Sequence, residues 1–116
     1  MMDPRHDDRI PVRFASPAQA GAGEALLVED GVVQPVVSAD CAIIRFRSAG
    51  AAHRPGCTCC AGRGAAATAL GELFQARALG RVAWFTGVVA VVADPVAVAG
   101  ELQSDRLAAA RFRVQR

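Results

Sequence analysis

The pattern of apolar positions predicts one long amphipathic helix, over Ala65–Leu79. Leu70, Leu73 and Phe74 recur along this segment at the spacing of a single helix face. Gly80 comes directly after the last turn, where glycine commonly ends a helix because it adopts a left-handed conformation without strain. The segment therefore has both a buried face and a stop signal.

A second informative pattern is the nearly unbroken apolar run Val82–Ala93, which is rich in valine and does not alternate. Such a run is typical of a strand that is buried on both faces, as in a parallel sheet between helices. Asp94 and Pro95 come next as an N-cap and a first helical residue, and they predict a short helix over Val96–Gln103. A further helix is expected over Ser104–Phe112, with its first residue as the cap.

Short strands are expected in the first half of the chain. The segments Ile10–Ala15 and Cys41–Phe46 have strand composition, and Val36–Val37 is a shorter candidate. Glu24–Glu29 is also apolar, but it is too short for periodicity to decide between helix and strand.

Helix, buried strand and helix in succession indicate an α/β domain. We expect a small, mostly parallel sheet flanked by two or three helices, in a single domain over residues 10–116. Residues 1–9 are charged and polar, and we expect them to form a flexible leader. The chain has 116 residues, 53% of them hydrophobic, which is enough for one domain with its own core.

The charge and hydropathy patterns limit the expected kinds of partner and the expected cellular location. The formal net charge is only +2, and all basic residues are scattered arginines, so nucleic acid is not an expected partner. No apolar run reaches the roughly 18 residues of a membrane span, and no secretory signal is visible. We therefore expect no membrane association and a cytoplasmic location, where thiols stay reduced.

Three cysteines within four residues are the strongest chemical signal in the chain. Cys57, Cys59 and Cys60 could bind one soft metal ion together, most readily zinc, and thiolates would equally accept Cu(I). Zinc takes four ligands, so the fourth place is left to Cys41, His53, water or a group from a partner.

Two other interpretations of the thiols remain open. They could be small buried residues, and this applies above all to Cys41, which begins an apolar strand. They could also form a redox pair, although the chain lacks the Cys-x-x-Cys spacing typical of thioredoxin-like proteins.

A family resemblance rests on the cysteine run and on the elements that come after it. The run Gly56-Cys57-Thr58-Cys59-Cys60, then a helix, a buried strand and the turn Ala93-Asp94-Pro95, resembles the CobW-type GTPases. These are the metal-handling relatives of the HypB and UreG nickel-insertion GTPases. The resemblance covers residues 55–113, and it implies a reduced P-loop-NTPase-like fold and metal handling.

A fainter resemblance lies upstream, where Gly21-Ala22-Gly23-Glu24-Ala25 looks like the end of a degenerate P-loop. At the positions of that motif, the first glycine is Ala18, the lysine is Glu24 and the hydroxyl residue is Ala25. A carboxylate aimed at phosphate from ~4 Å costs roughly 4 kcal/mol at an effective dielectric of ~20. The resemblance therefore implies no functional GTP site.

Two further elements of the family are missing. The segment Val88-Val89-Ala90-Val91 stands where the family has Glu-Thr-x-Gly, so the acidic residue that helps to organise Mg²⁺ is absent. The guanine-binding motif Asn-Lys-x-Asp cannot exist in a chain without Asn or Lys. GTPase activity is therefore not expected.

The sequence thus predicts a non-hydrolysing, CobW-like protein that binds a soft metal ion for storage or for transfer to a partner protein. The alternative is a non-catalytic interaction or scaffold module derived from a GTPase. Such a module would retain little or no nucleotide binding, and it would assemble with a partner or as a homodimer.

Overall fold

Five strands and three helices are found in the computed structural model, which describes residues 8–14, 20–34, 37, 40–47 and 64–115. In chain order they are β1 (Ile10–Phe14), β2 (Glu24–Glu29), β3 (Ile43–Phe46), α1 (Ala65–Ala78), β4 (Gly87–Val91), α2 (Pro95–Ser104), α3 (Arg106–Arg111) and β5 (Phe112–Gln115).

The strands form one sheet in the order β3-β2-β4-β1-β5, and all four neighbouring pairs are parallel. The expected α/β fold with a parallel sheet flanked by helices is therefore confirmed. All strands run in one direction, so we call the edge where they begin the amino edge and the edge where they end the carboxyl edge.

Strand β4 lies at the centre of the sheet, and all five of its residues are buried. Its valines suit this position because β-branched side chains pack well on a pleated surface covered on both sides. The predicted strand over Val82–Ala93 is correct in kind but begins too early, since β4 starts at Gly87. Among the residues just before Gly87, Ala83, Trp84 and Thr86 are exposed, so apolar composition established neither burial nor pairing there and could not locate the start.

Two apolar clusters cover the two faces of the sheet. The larger one joins the helices to the sheet, and it includes Leu70 and Leu73 of α1 and Leu102 of α2. The smaller cluster lies on the opposite face and consists of Leu26, Val28, Val89 and Val91. Its members are at most 8% exposed, and Ala20, Val32, Val37 and Cys41 pack against it.

The helix starts agree with the sequence signals with one exception. The Asp94 side chain accepts a hydrogen bond from the N–H of Ala97, and Pro95 is the first residue of α2, as predicted. The expected cap of the last helix is wrong: Asp105 caps α3, while the Ser104 hydroxyl donates back into α2. A carboxylate one residue further along accepts the N–H of Ala108 at 2.9 Å.

The last helix is also shorter than predicted. It ends at Arg111, and Phe112–Gln115 forms β5 beside β1. In this segment Phe112 and Val114 face the larger core cluster and alternate with two polar residues. Four residues of alternation are too few to stand out from a helical pattern.

The remaining predictions concern the first half of the chain. Strand β1 is confirmed over Ile10–Phe14, and the ambiguous segment Glu24–Glu29 is a strand. Strand β3 begins at Ile43, two residues later than expected. Val37 belongs to none of the described strands, and Val36 lies outside the described residues, as do residues 48–63 and most of the leader.

Candidate functional site

The carboxyl edge of the sheet is the expected place for a ligand, because open α/β sheets bind ligands beyond the carboxyl ends of their strands. Strand β3 ends at this edge, and after Arg47 the next described residue is Gly64, the N-cap of α1; residues 48–63 stand between them in the sequence. The segment contains Cys57, Cys59, Cys60 and His53. All four lie outside the described residues, so their role as metal ligands stays a prediction.

Within the described ranges, no group of three or more His, Cys, Asp or Glu side chains could hold a metal ion. The described part of the carboxyl edge is instead held together by hydrogen bonds and one weak ion pair. The Glu29 carboxylate accepts the N–H of Ala93 at 3.0 Å, which joins the ends of β2 and β4. Arg47 lies 3.9 Å from Asp30, and both side chains are well exposed.

The start of α1, where the cysteine segment ends, is capped by a residue from another helix. Glu101 of α2 accepts the N–H of Ala67 at 2.8 Å. A Cβ atom at Gly64 would lie 2.1 Å from the Glu101 carboxyl carbon, so glycine leaves the space that the carboxylate fills. The positive end of the helix dipole is therefore already occupied by an anion, whereas P-loop proteins place phosphate at such an end.

The segment that resembles a P-loop has a different local structure from that motif. A P-loop joins a strand to a helix, but here Gly23 leads directly into strand β2. Ala25, at the hydroxyl position, is completely buried in the larger core cluster. This segment also lies at the amino edge of the sheet rather than at the carboxyl edge. Ala18 lies outside the described residues.

Gly21 and Gly23 form the turn that brings the chain into β2. Gly23 has a φ of 78°, and its carbonyl accepts the N–H of Thr86 at 2.8 Å. The Gly21 carbonyl accepts the N–H of Glu24 at 3.2 Å. The turn before β2 therefore explains why glycines stand at these two positions, and no bound phosphate is needed to explain them.

Glu24, at the lysine position, is engaged by Arg13. The Arg13 guanidinium donates from Nε and Nη2 to the two carboxylate oxygens, each at 2.8 Å, and the Gly21 N–H donates at 2.7 Å. The Arg13 hydrogen bond lowers the pKa of Glu24, and the same bond raises the pKa of Arg13. The expectation of a carboxylate aimed at phosphate is therefore corrected, since this carboxylate is aimed at an arginine.

Cys41 lies at the amino edge, far along the sheet from Arg47 and Gly64. Its thiol donates to the Glu24 carbonyl, with Sγ 3.4 Å from that oxygen. Burial raises the pKa of this thiol, and the charges of Asp40 and Glu24 raise it further. The thiol is thus a protonated hydrogen-bond donor packed against the smaller cluster, which does not favour it as a fourth metal ligand.

One group of surface residues was not singled out from the sequence. Trp84 is 65% exposed, and the Arg77 guanidinium carbon lies 3.8 Å from its ring centroid. The same guanidinium donates to the Phe85 carbonyl at 2.6 Å. The sequence signal for this group is its single tryptophan. That residue lies inside the apolar run Val82–Ala93, which we interpreted entirely as a buried strand.

The chain matches no protein-family model, no curated protein and no solved structure. The CobW-type resemblance therefore stays a prediction from the sequence. No helix among the described residues is long and apolar enough to cross a membrane.

Proposed function

We propose that this protein binds a soft metal ion, most readily zinc, through the thiolates of Cys57, Cys59 and Cys60, and that it does not hydrolyse nucleotides. The proposal is supported by the two described residues that flank the cysteines in the sequence. Arg47 follows β3 at the carboxyl edge of an all-parallel sheet, and Gly64 precedes α1, the helix that returns the chain to the amino edge. The carboxyl edge is where open α/β sheets hold their ligands.

The donor set supports a soft metal. Three thiolates within four residues favour zinc or Cu(I) over hard cations such as Mg²⁺, which prefer oxygen ligands. Zinc needs a fourth ligand, and His53 lies in the same segment. Because the Cys41 thiol is protonated and hydrogen-bonded at the other edge, we assign the fourth place to His53, water or a group from a partner.

The absence of nucleotide hydrolysis is supported by the geometry around Glu24 and Glu101. Glu24 is paired with Arg13 at the start of a strand, and Glu101 occupies the N-terminus of α1. Among the described residues, a carboxylate stands at each of these two places, where a phosphate site would need hydrogen-bond donors or positive charge. Metal binding would then be passive, with affinity and exchange set by the thiolates alone.

Transfer would proceed by ligand exchange in a reducing cytoplasm. A thiolate or imidazole of a receiving protein enters the fourth position, and the cysteines of this chain then leave the metal one at a time. Each departing thiolate takes up a proton at neutral pH, since an unperturbed thiol has a pKa of about 8.5. No electron changes hands in this sequence.

The test is the metal content of protein purified under reducing conditions, measured together with a thiol titration. We expect wild-type protein and the Cys41→Ser variant to bind zinc with the same stoichiometry. A variant in which Cys57, Cys59 and Cys60 are all Ser should bind none. Unchanged zinc content in the triple variant would refute the proposal.

The second candidate is a non-catalytic scaffold module, and the two outer strands favour it. Among the described strands, β3 and β5 each pair on one side only, so each has an open backbone edge that a partner or a second copy could extend. This function predicts a homodimer or a hetero-complex whose size in solution is unchanged by a chelator. A monomer at all protein concentrations would exclude the homodimer.

A residual nucleotide site is tested separately. A thermal shift with GTP and Mg²⁺ in wild-type protein would contradict our interpretation of Glu24 and Glu101. A reversible, metal-free disulfide within the cysteine segment would favour the redox interpretation instead.

A further inference from the structure

Trp84 has an unusual combination of exposure and rigidity. It is the only tryptophan in the chain, and 65% of it is exposed. The next residue, Phe85, is 2% exposed and fixes the backbone in the core. A large aromatic side chain left in water forgoes a substantial hydrophobic gain, and tryptophan is one of the residue types enriched in the hot spots of protein interfaces.

The ring is held in place before any partner arrives. Arg77 covers one face of the indole, with its guanidinium carbon 3.8 Å from the ring centroid. The hydrogen bond from Arg77 to the Phe85 carbonyl fixes that guanidinium in turn. A preorganised aromatic side chain loses little conformational entropy on binding, which is a property of strong interface anchors.

Positively charged side chains lie next to Trp84 on the neighbouring helices α1 and α3. The guanidinium carbon of Arg77 lies 5.5 Å from the ring centroid of Phe74, and that of Arg111 lies 4.6 Å from the same centroid. Arg81 is exposed three residues before Trp84. We call these five residues the Trp84 surface: Phe74, Arg77, Arg81, Trp84 and Arg111.

The charge on this surface is not neutralised within the described residues. Among the described residues, ion pairs join Arg13 to Glu24 and Arg47 to Asp30. Neither pair involves an arginine of the Trp84 surface. Burial lowers the pKa of Arg77, but a guanidinium stays charged at neutral pH. A tryptophan surrounded by these arginines favours a partner that supplies carboxylates.

A small cavity beside Trp84 indicates what else the partner would supply. It has a volume of about 180 Å³ and lies between Trp84 and the turn Gly21–Glu24. Asp40 also lines it, which disfavours an acidic group at that place. An uncharged side chain of the partner would therefore enter here and pack its apolar part against the exposed indole, while the partner's carboxylates would lie over the arginines on the other side.

We propose that the Trp84 surface is a docking site for a protein segment that presents Asp or Glu side chains around one large apolar residue. This site lies at the amino edge, away from the ends of the cysteine segment, and it does not depend on metal binding. A nucleic-acid ligand fits less well, because Arg77 covers one face of the Trp84 indole and guanidinium groups also lie against the Phe74 ring, which leaves little aromatic surface for stacked bases.

The experiment selects binders from a displayed library of short random peptides with the full-length protein as bait. Affinities of the selected peptides are then measured by calorimetry for the wild type and for variants. Because Trp84 is the only tryptophan, its fluorescence also reports directly whether a peptide binds at this surface. An oligothymidylate of matched length serves as the nucleic-acid probe.

We expect the selected peptides to be enriched in Asp and Glu next to a large apolar residue. Trp84→Ala should weaken binding about 30-fold, the loss of about 2 kcal/mol that defines a hot spot. Arg81→Glu leaves the indole and its contacts intact, and it should weaken binding about 5–10-fold with a smaller dependence on salt. Arg47→Glu, the same charge change at the opposite edge, should leave affinity unchanged.

Several results would overturn the proposal. These are a selection without binders, binders without acidic enrichment, or binders that retain full affinity for Trp84→Ala. Oligothymidylate that binds more tightly than the best peptide, with the same dependence on Trp84, would show a nucleic-acid surface instead. Circular dichroism of each variant separates loss of binding from loss of fold.

Discussion

Replacing Glu24 with Lys distinguishes the sequence resemblance from the structure. According to the resemblance, Glu24→Lys restores the phosphate-binding lysine of a P-loop. In the structure, the same change removes a carboxylate that accepts two hydrogen bonds from Arg13 and one from Gly21. We therefore expect a loss of stability and no gain of nucleotide binding.

The size of the loss is set by the geometry of the pair. The side chains of Arg13 and Glu24 are 34% and 22% exposed, so solvent screens them partly. Loss of a bidentate, charge-assisted pair of this kind costs about 1.5–2 kcal/mol. A lysine placed ~4 Å from Arg13 adds about 1 kcal/mol of repulsion in a high dielectric.

The total of about 2.5–3 kcal/mol corresponds to a fall in Tm of about 10–12 °C for a domain of this size. Urea unfolding measures the free energy directly. Glu72→Lys is the matched control, because Glu72 is exposed on α1, and its substitution should change stability by less than about 0.5 kcal/mol. Exchanging both charges, Arg13→Glu with Glu24→Lys, should recover at least half of the loss.

Two results would contradict this reasoning. One is a Glu24→Lys variant as stable as Glu72→Lys, which would mean that the ion pair contributes nothing. The other is a Glu24→Lys variant that GTP and Mg²⁺ stabilise against heat, which would mean that the turn before β2 can act as a P-loop after all.

Two further predictions concern the carboxylates that the structure brings into contact. Because Arg13 lowers the pKa of Glu24 in the folded protein, the stabilisation from this pair is complete above the unfolded pKa of about 4.3 and is lost as pH falls through the folded value. The stability difference between wild type and Glu24→Gln should therefore be constant well above a pH of about 4.3 and shrink as the pH falls below it in denaturant titrations, and a difference that stays constant at low pH would argue against the pair. Gly64→Ala should push the Glu101 carboxylate away from the Ala67 N–H and cost about 1–2 kcal/mol. In a double-mutant cycle with Glu101→Ala, the second substitution should add little, so fully additive losses would contradict a shared mechanism.

The parts of the fold that could be predicted are those with strong local signals. The valine-rich run identified a buried parallel strand, and Asp94 with Pro95 identified the start of α2. Boundaries were harder to predict because apolar composition by itself establishes neither burial nor strand pairing. The segment from Val82 to Phe85 is apolar, yet Ala83 and Trp84 are exposed and the first sheet pairing comes at Gly87.

In the candidate site, too, local features could be predicted from the sequence and contacts between distant residues could not. The spacing of Cys57, Cys59 and Cys60 is local, so the prediction of a soft-metal site needs only the sequence. The contacts of Glu24 and Glu101 are not local, since their partners Arg13 and Ala67 lie in other elements. A sequence motif identified Glu24 as a lost lysine, and only the sheet topology revealed the arginine that pairs with it.

The position of β1 in the sheet has a consequence for how the chain reaches its native state. Val12 pairs with Val88, and Ile10 pairs with Phe112, so β1, which is synthesised before the other described strands, depends on partners from the second half of the sequence. At translation rates of about 5–20 residues per second, β1 waits several seconds for its first neighbour. Closing such long loops early also costs entropy, which makes parallel sheets slow to form. We therefore expect Ile10 and Val12 to be exposed in the nascent chain, where chaperone binding would compete with aggregation.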